Sequence, residues 1–276
     1  MFKIMSKTQL NNDVFAMEIH APLTAKKAKA GQFIMLRVAE GGERIPLTIA
    51  GVRGDAVRII FQTVGKTTMW LSELPKGGHV RDFVGPLGEA TDLPSEGRVI
   101  IIAGGLGAAI ALPQARELAA RGVTTDVILG FRTADLIILE DEFRALKAGG
   151  VYVMTDDGSN GNKGLVTDKL REIKGDGAAA CIAIGPLPMM RAVCDLTREY
   201  GIKTTVSMNS TMVDGTGMCG CCRVTVGGKV RFACVDGPDF DGHLVDFDEA
   251  ILRQRMYAEQ ERSAREAHIC KMKGRG

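Results

Sequence analysis

No stretch of this sequence stays apolar long enough to cross a bilayer: runs such as 99–103 fall far short of the ~20 residues that a spanning helix needs. The N-terminal MFKIMSKTQLNN also lacks the apolar centre and small-residue cleavage site of a secretory signal. Both absences point to a cytoplasmic protein. Charge of one sign is missing as well. Lys and Arg number 35 against 33 Asp and Glu, a net of +2, so no global field recruits nucleic acid or an anionic membrane. Histidine is scarce, at 4 residues. His20, His79, His243 and His268 stand apart from one another, and none is near enough in sequence to join the cysteines as a metal ligand. There is no internal repeat and no low-complexity tract.

What is present is a chain of 276 residues, 45% hydrophobic and 25% charged, enough for two domains and a small appendage. Of its 7 cysteines, Cys219, Cys221, Cys222 and Cys234 crowd together, which suits metal ligation better than a disulfide framework. Cys181, Cys194 and Cys270 are scattered, and Cys181 reads as a small buried core residue.

Over 1–96, short β-rich runs at 14–19, 32–38, 45–51 and 56–64 are separated by Gly, Asn, Asp and Pro, the pattern of an antiparallel β-barrel. Over 97–207 the period changes. Apolar runs at 99–103, 123–129, 151–154, 179–184 and 202–206 alternate with helix-like stretches at 108–121, 165–173 and 187–200, which predicts an α/β domain with a parallel, doubly wound sheet. Over 208–245 a Gly- and Cys-rich stretch leads into Val224, Val226, Val230 and Phe232, which alternate about Gly227-Gly228 as a tight hairpin. The tail, 246–276, is polar and helical in propensity, with Ile251, Leu252 and Met256 as its apolar anchors.

Asp214, Cys219, Cys222 and Cys234 follow the spacing D-x4-C-x2-C-x11-C. This is the order of plant-type 2Fe-2S ligation with a carboxylate in place of the first thiolate. Gly215, Gly217 and Gly220 let the loop approach a cluster closely and present backbone N–H groups to it, and the hairpin returns Cys234 to the same place. A structural zinc normally takes two separated C-x2-C pairs or Cys/His mixtures, so the spacing favours iron and sulfur. Two readings of Asp214 stay open: it ligates iron, or it is a turn residue and water or Cys221 completes the site.

The run VIIIAGGLGAA carries a strand through Gly104, Gly105 and Gly107 into a helix, where N–H groups can meet a pyrophosphate or where the glycines merely allow tight packing. Two further turns follow strands: TDDGSNGN, with Asp157, and IGPLPMM, with Gly185 and Pro186. Three such turns on one edge of a doubly wound sheet make a dinucleotide site. Arg132, after another strand, is either a clamp for a 2′-phosphate or a loop charge. In the barrel, RIPLT places Arg44, Pro46, Leu47 and Thr48 on a strand. VGKTT places Gly65, Lys66, Thr67 and Thr68 at the start of a helix over 67–74, which Trp70 packs onto the barrel. Arg44 can pair with a pyrophosphate, and Gly65, Thr67 and Thr68 can donate to it, although Thr67 or Thr68 can equally cap the helix.

Taken in order, RIPLT, GKTT, GPLG, AGGLGAA, TDDGSNG and GPLPMM resemble the ferredoxin-NADP reductase superfamily over nearly the whole chain. The terminal cysteine motif narrows the resemblance to the branch with dihydroorotate dehydrogenase electron-transfer subunits, sulfide dehydrogenase β subunits and the small subunit of NADH-dependent reduced ferredoxin:NADP oxidoreductase. The aspartate that opens the motif looks most like the last. The resemblance implies FAD in the barrel, with Thr48 hydrogen-bonding near the reactive flavin nitrogen, and NAD(H) framed by Gly104, Gly105, Gly107 and Asp157. It implies a 2Fe-2S cluster on Asp214, Cys219, Cys222 and Cys234, and a larger flavin and iron-sulfur partner that couples the chain to ferredoxin and NADP(H). Two departures stand out. Arg44 lies four residues before Thr48 with no aromatic between them, which implies a flavin without the usual stacking tyrosine, and Ile184 replaces the cysteine that often precedes the later Gly-Pro.

Overall fold

The computed structural model describes residues 1–173 and 177–273, with side chains described as far as residue 270. Its first unit is a seven-stranded antiparallel sheet curled into a nearly closed barrel. The strands are β1 (Phe2–Gln9), β2 (Val14–His20), β3 (Phe33–Arg37), β4 (Arg44–Arg53), β5 (Ala56–Gln62), β6 (His79–Val80) and β7 (Asp82–Leu87). Their order is β6-β1-β2-β5-β4-β3-β7, so the two edge strands are neighbours in sequence. Ile19, Ile34, Leu36, Ile49, Ile59 and Phe61 fill the interior, as the alternation along β2 to β5 requires. Helix α1 (Pro22–Lys27) follows β2 and α2 (Lys66–Glu73) follows β5. Trp70 on α2 packs against this core, as expected. The sequence pattern does not announce β1, because Ile4 is its one buried side chain.

The second unit is a six-stranded sheet with five parallel strands: β8 (Arg98–Gly104), β9 (Thr124–Phe131), β10 (Val151–Thr155), β11 (Ala178–Ile184) and β12 (Thr204–Ser207). The connecting helices are α3 (Gly107–Ala120), the short α4 (Glu140–Arg144), α5 (Val166–Glu172) and α6 (Leu187–Glu199). The strand order β10-β9-β8-β11-β12 makes the sheet doubly wound, and it reverses direction between β8 and β11. β8 is buried from Val99 onward, as a central parallel strand must be.

The third unit is the hairpin of β13 (Arg223–Val226) and β14 (Lys229–Phe232), turned by Gly227 and Gly228, both at positive φ. It does not stand apart. The range 208–245, expected to be a module of its own, contains β15 (Asp239–Asp241), which pairs antiparallel with β12 and forms the edge of the parallel sheet. Three residues are too short for alternation to reveal a strand.

The tail forms α7 (Phe247–Gln254) and α8 (Ala258–Lys273). Asp246 caps α7 by accepting the Glu249 N–H at 2.9 Å. The expected apolar anchors need correction: Phe247 is buried and Ile251 half-buried, but Leu252 is 70% exposed and Met256 is 52% exposed. α8 turns back to the barrel, where His268 Nε2 lies 3.1 Å from Glu73 Oε1 at the end of α2. Among the described residues no helix is long and apolar enough to cross a membrane.

Two contacts lock the units together. Arg58 of β5 makes a bidentate pair with Glu142 of α4 at 2.7 and 2.8 Å, and Arg116 of α3 joins the same carboxylate at 2.6 Å. The arginines hold Glu142 below the usual carboxylate range. The second contact is a shared core, in which Phe33 and Met35 of the barrel lie with Ile100 of β8, Met190 of α6 and Cys222, Val224 and Cys234 of the third unit.

Candidate functional site

In the barrel, β3 pairs with β4 so that Phe33 faces Thr48, Ile34 faces Leu47, Met35 faces Pro46 and Arg37 faces Arg44. Arg44 is exposed at the start of its strand and Thr48 is half-buried. The structure brings RIPLT and GKTT together: the Thr67 hydroxyl donates to Glu43 Oε2 at 2.7 Å, next to Arg44. Neither threonine caps α2. That position belongs to Gly65, whose N–H donates to Thr68 Oγ1 at 3.1 Å, while the Thr68 hydroxyl donates to the Gly65 carbonyl at 3.0 Å. The two hydroxyls therefore order the loop, and Lys66 and Arg44 remain as its exposed cations.

At the parallel sheet, the turns after β8 and β11 flank the point where strand order reverses. They touch: a Cβ on Gly185 would lie 3.1 Å from the Gly104 nitrogen, and one on Gly107 would lie 2.2 Å from the Ile184 carbonyl oxygen. Gly105, at φ +55°, turns its N–H to the Gly130 carbonyl at 2.9 Å. The glycines thus serve close packing, and no side chain caps α3 or α6; at the start of α3 the Ala108 and Ala109 N–H groups turn back to the Gly105 and Leu106 carbonyls at 3.2 and 2.9 Å. Pro186 is the residue from which α6 starts.

The turn after β10 is knit internally. Thr155 donates to Asn160 Oδ1 at 2.7 Å, and Asn160 Nδ2 donates to the Val153 carbonyl at 2.9 Å. Asp157 accepts from the Ser159 hydroxyl at 2.7 Å and N–H at 2.9 Å, and these bonds pull its carboxyl below the usual range. Ser159 Oγ accepts the Ala134 N–H at 2.7 Å, tying this turn to the segment after β9. Arg132, in that segment, is exposed. Cys181 is fully buried on β11, and burial first, then the nearby Cys194, push its thiol far up; it is a core residue.

Among the described residues, no group of three or more His, Cys, Asp or Glu side chains is arranged to hold a metal ion. The four motif residues stand in two halves instead. Cys222 and Cys234 are buried with their sulfurs 3.2 Å apart, and burial, then the Cys222 thiol, push Cys234 up to about 12. Cys219 is exposed, and its thiol is lowered, chiefly by the backbone N–H of Cys221. Asp214 bridges towards it: Oδ2 accepts the Cys219 N–H and Oδ1 the Thr216 N–H, each at 2.8 Å, which lowers its carboxyl.

The loop fits an iron-sulfur group in donor chemistry and in shape. It offers three thiols and a carboxylate, and the backbone N–H groups of Cys221 and Gly217 act to lower the thiols of Cys219 and Cys234. Gly215, Gly217 and Gly220 are all at positive φ. A Cβ on Gly217 would sit 3.0 Å from Val235, and one on Gly215 would sit 2.8 Å from Met35 Cγ and 3.0 Å from Leu87 Cδ1. Met35 therefore links the two sites: its strand neighbour is Pro46 in RIPLT, and its side chain touches the cysteine loop. Periodicity marks Met35 only as a strand residue.

Comparison with known proteins agrees with this geometry. Residues 209–246 match the family model for the iron-sulfur cluster binding domain of dihydroorotate dehydrogenase B. The chain is 44% identical to a dihydroorotate dehydrogenase B (NAD(+)) electron transfer subunit homolog of Thermotoga maritima, over 97% of this chain and 95% of that one. It is 32% identical to the electron transfer subunit of Fusobacterium nucleatum, over 85% of this chain and 93% of the relative. Among solved structures, a chain from the NADH-dependent reduced ferredoxin-NADP oxidoreductase, studied for flavin-based electron bifurcation, superposes with a TM-score of 0.91. That match is at 42% identity and covers 98% of both chains.

Proposed function

The chain belongs to the family of dihydroorotate dehydrogenase B electron transfer subunits and their homologues, and from this we propose that it is the flavin and 2Fe-2S electron-transfer subunit of an NAD(H)-linked oxidoreductase. The observation that carries the proposal is the contact between Met35 and Gly215, which sets the cysteine loop one strand away from RIPLT. When bound, FAD exchanges hydride with a nicotinamide and single electrons with a 2Fe-2S cluster.

The chain's own residues then have distinct tasks. Arg44 and Lys66 supply positive charge for the flavin pyrophosphate, and Gly65, Thr67 and Thr68 hold the loop beneath it. Pro46 and Leu47 form the strand floor, and the Thr48 hydroxyl is placed to hydrogen-bond the flavin ring. Gly104, Gly107, Gly185 and Pro186 keep the switch point narrow, so that the N-termini of α3 and α6 face the nicotinamide dinucleotide. Gly105 shapes that turn, and Asp157 holds Ser159 at its rim. Asp214, Cys219, Cys222 and Cys234 hold the cluster. The three thiols would have to be deprotonated to serve as its ligands.

The likeness to the NADH-dependent reduced ferredoxin-NADP oxidoreductase chain, and Asp214 as first ligand, favour a larger flavin and iron-sulfur partner, with ferredoxin and NADP(H) reached through it. A second reading, delivery of electrons to or from a dihydroorotate dehydrogenase subunit, is favoured by the match over 209–246. Anaerobic copurification from the native source tests both, with flavin, iron and zinc analysis, EPR, and identification of the bound subunit. FAD, a reducible 2Fe-2S signal and a flavin and iron-sulfur subunit are expected. A dihydroorotate dehydrogenase subunit in the complex selects the second reading, and a colourless, zinc-containing protein without flavin overturns both.

A further inference from the structure

The C-terminal tail touches the cysteine loop at one defined point. Arg253 near the end of α7 donates from Nη2 to the carbonyl of Cys221 at 3.1 Å, across 32 residues of chain. Both residues line a cavity of about 160 Å³, with Cys219, Arg223 and Tyr257 also on its wall. The next carbonyl, of Cys222, is held from the other side by the Ala233 N–H at 3.0 Å. The stretch between two motif cysteines is thus tethered by α7 on one flank and by the hairpin end on the other.

The carbonyl of Cys221 and the N–H of Cys222 belong to one planar trans peptide, so they point in opposite directions. A guanidinium that fixes the carbonyl therefore also fixes the direction of the Cys222 amide. Arg253 is half-buried, so the field of its guanidinium is screened less than that of the exposed Arg223 in the same cavity.

We propose that Arg253 is a positioning residue for the iron-sulfur site: it holds the Cys221–Cys222 peptide and supplies the positive charge that favours the reduced cluster. The inference rests on the electron-transfer reading above. One electron from the reduced flavin adds one negative charge at the cluster, and a cation a short distance away stabilises that charge.

The test is an EPR-monitored redox titration of the full chain, purified anaerobically, as wild type, Arg253→Gln and Arg253→Lys, with iron content and thermal midpoint measured on each. Gln can keep a donor to the carbonyl but carries no charge, so it should retain iron and reduce less readily. At a fixed ambient potential its ratio of reduced to oxidised cluster should fall about tenfold, a shift of about 59 mV for one electron. Lys should stay near the wild-type potential. An Arg253→Gln protein with full iron and an unchanged potential overturns the inference. A variant that loses iron at an unchanged thermal midpoint supports positioning, whereas iron loss that merely follows unfolding in both variants overturns it. Absence of a 2Fe-2S signal in the wild type removes the electron-transfer reading and this inference with it. That outcome is distinct from an intact signal that ignores Arg253.

Discussion

The Thr91 hydroxyl donates to Asp239 Oδ2 at 2.5 Å, joining the linker after the barrel to the edge strand β15 across 148 residues of sequence. Gln114 of α3 donates to both, at 2.8 Å to Thr91 Oγ1 and 3.3 Å to Asp239 Oδ2. The linker, α3 and β15 therefore meet at one buried carboxyl. Among the described residues, two acceptors there, Asp239 Oδ1 and Gln114 Oε1, have no hydrogen-bond partner. Burial pushes the Asp239 carboxyl above its usual range, against the lowering effect of the Thr91 and Ser207 hydroxyls.

A pH dependence follows. With the folded pKa raised, Asp239 contributes its full stability below its unfolded pKa of about 4, and loses it as pH rises through the folded value. Asp239→Asn keeps the shape and a donor without the charge. Thermal midpoints measured from acidic to alkaline pH should converge at the acid end, and the variant should gain about 1 kcal/mol or more over wild type at the alkaline end. A constant difference at every pH would show that Asp239 does not titrate in this range.

Much of the frame is legible in the sequence because its signals are local. The apolar run 99–103 is the centre of β8, the alternation about Gly227-Gly228 is the β13–β14 hairpin, and the Gly-rich turns fall on either side of the switch point. What the sequence hides is non-local or unpatterned. Asp239 and Thr91 have no shared spacing, β15 is too short to alternate, and Arg253 is one charge in a polar helix. The site was legible as motifs but not as roles. Thr68 reads as a phosphate donor or a cap, and its hydroxyl closes on Gly65; Asp157 reads as part of the dinucleotide frame, and its carboxylate accepts from Ser159.

Gly107 gives the sharpest steric prediction. A Cβ at this position would lie 2.2 Å from the Ile184 carbonyl oxygen and 2.8 Å from its carbon, both backbone atoms with no room to yield. Gly107→Ala must push α3 away from β11 at the point where the dinucleotide is expected. The cost should be about 3 kcal/mol, lowering the thermal midpoint by about 6–10 °C, with NADH affinity lost and flavin content kept. Gly105→Ala makes a useful contrast, because no atom lies within 4 Å of its added Cβ and the strain comes from φ alone. It should cost about 1–2 kcal/mol and leave the turn able to bind NADH, as titration of flavin reduction would show.

Asp214 carries the last prediction, because the structure gives it a task in either reading. Its two oxygens organise the loop by accepting the Thr216 and Cys219 amides, and a carboxylate so held is also kept ionised and ready for iron. If it ligates, Asp214→Cys replaces a hard oxygen with a thiolate while preserving four donors. The cluster should then be retained with an altered reduction potential and EPR line shape. If it only orders the loop, a thiol cannot accept both amides as a carboxylate does, so the loop should loosen and iron content should fall while the potential of the remaining clusters stays the same. Asp214→Asn separates the two further: one amide oxygen preserves part of the loop order but is a poor iron ligand. A full cluster in Asp214→Asn with an unchanged potential would remove Asp214 from the ligand set and leave Cys221 as the thiol positioned to replace it.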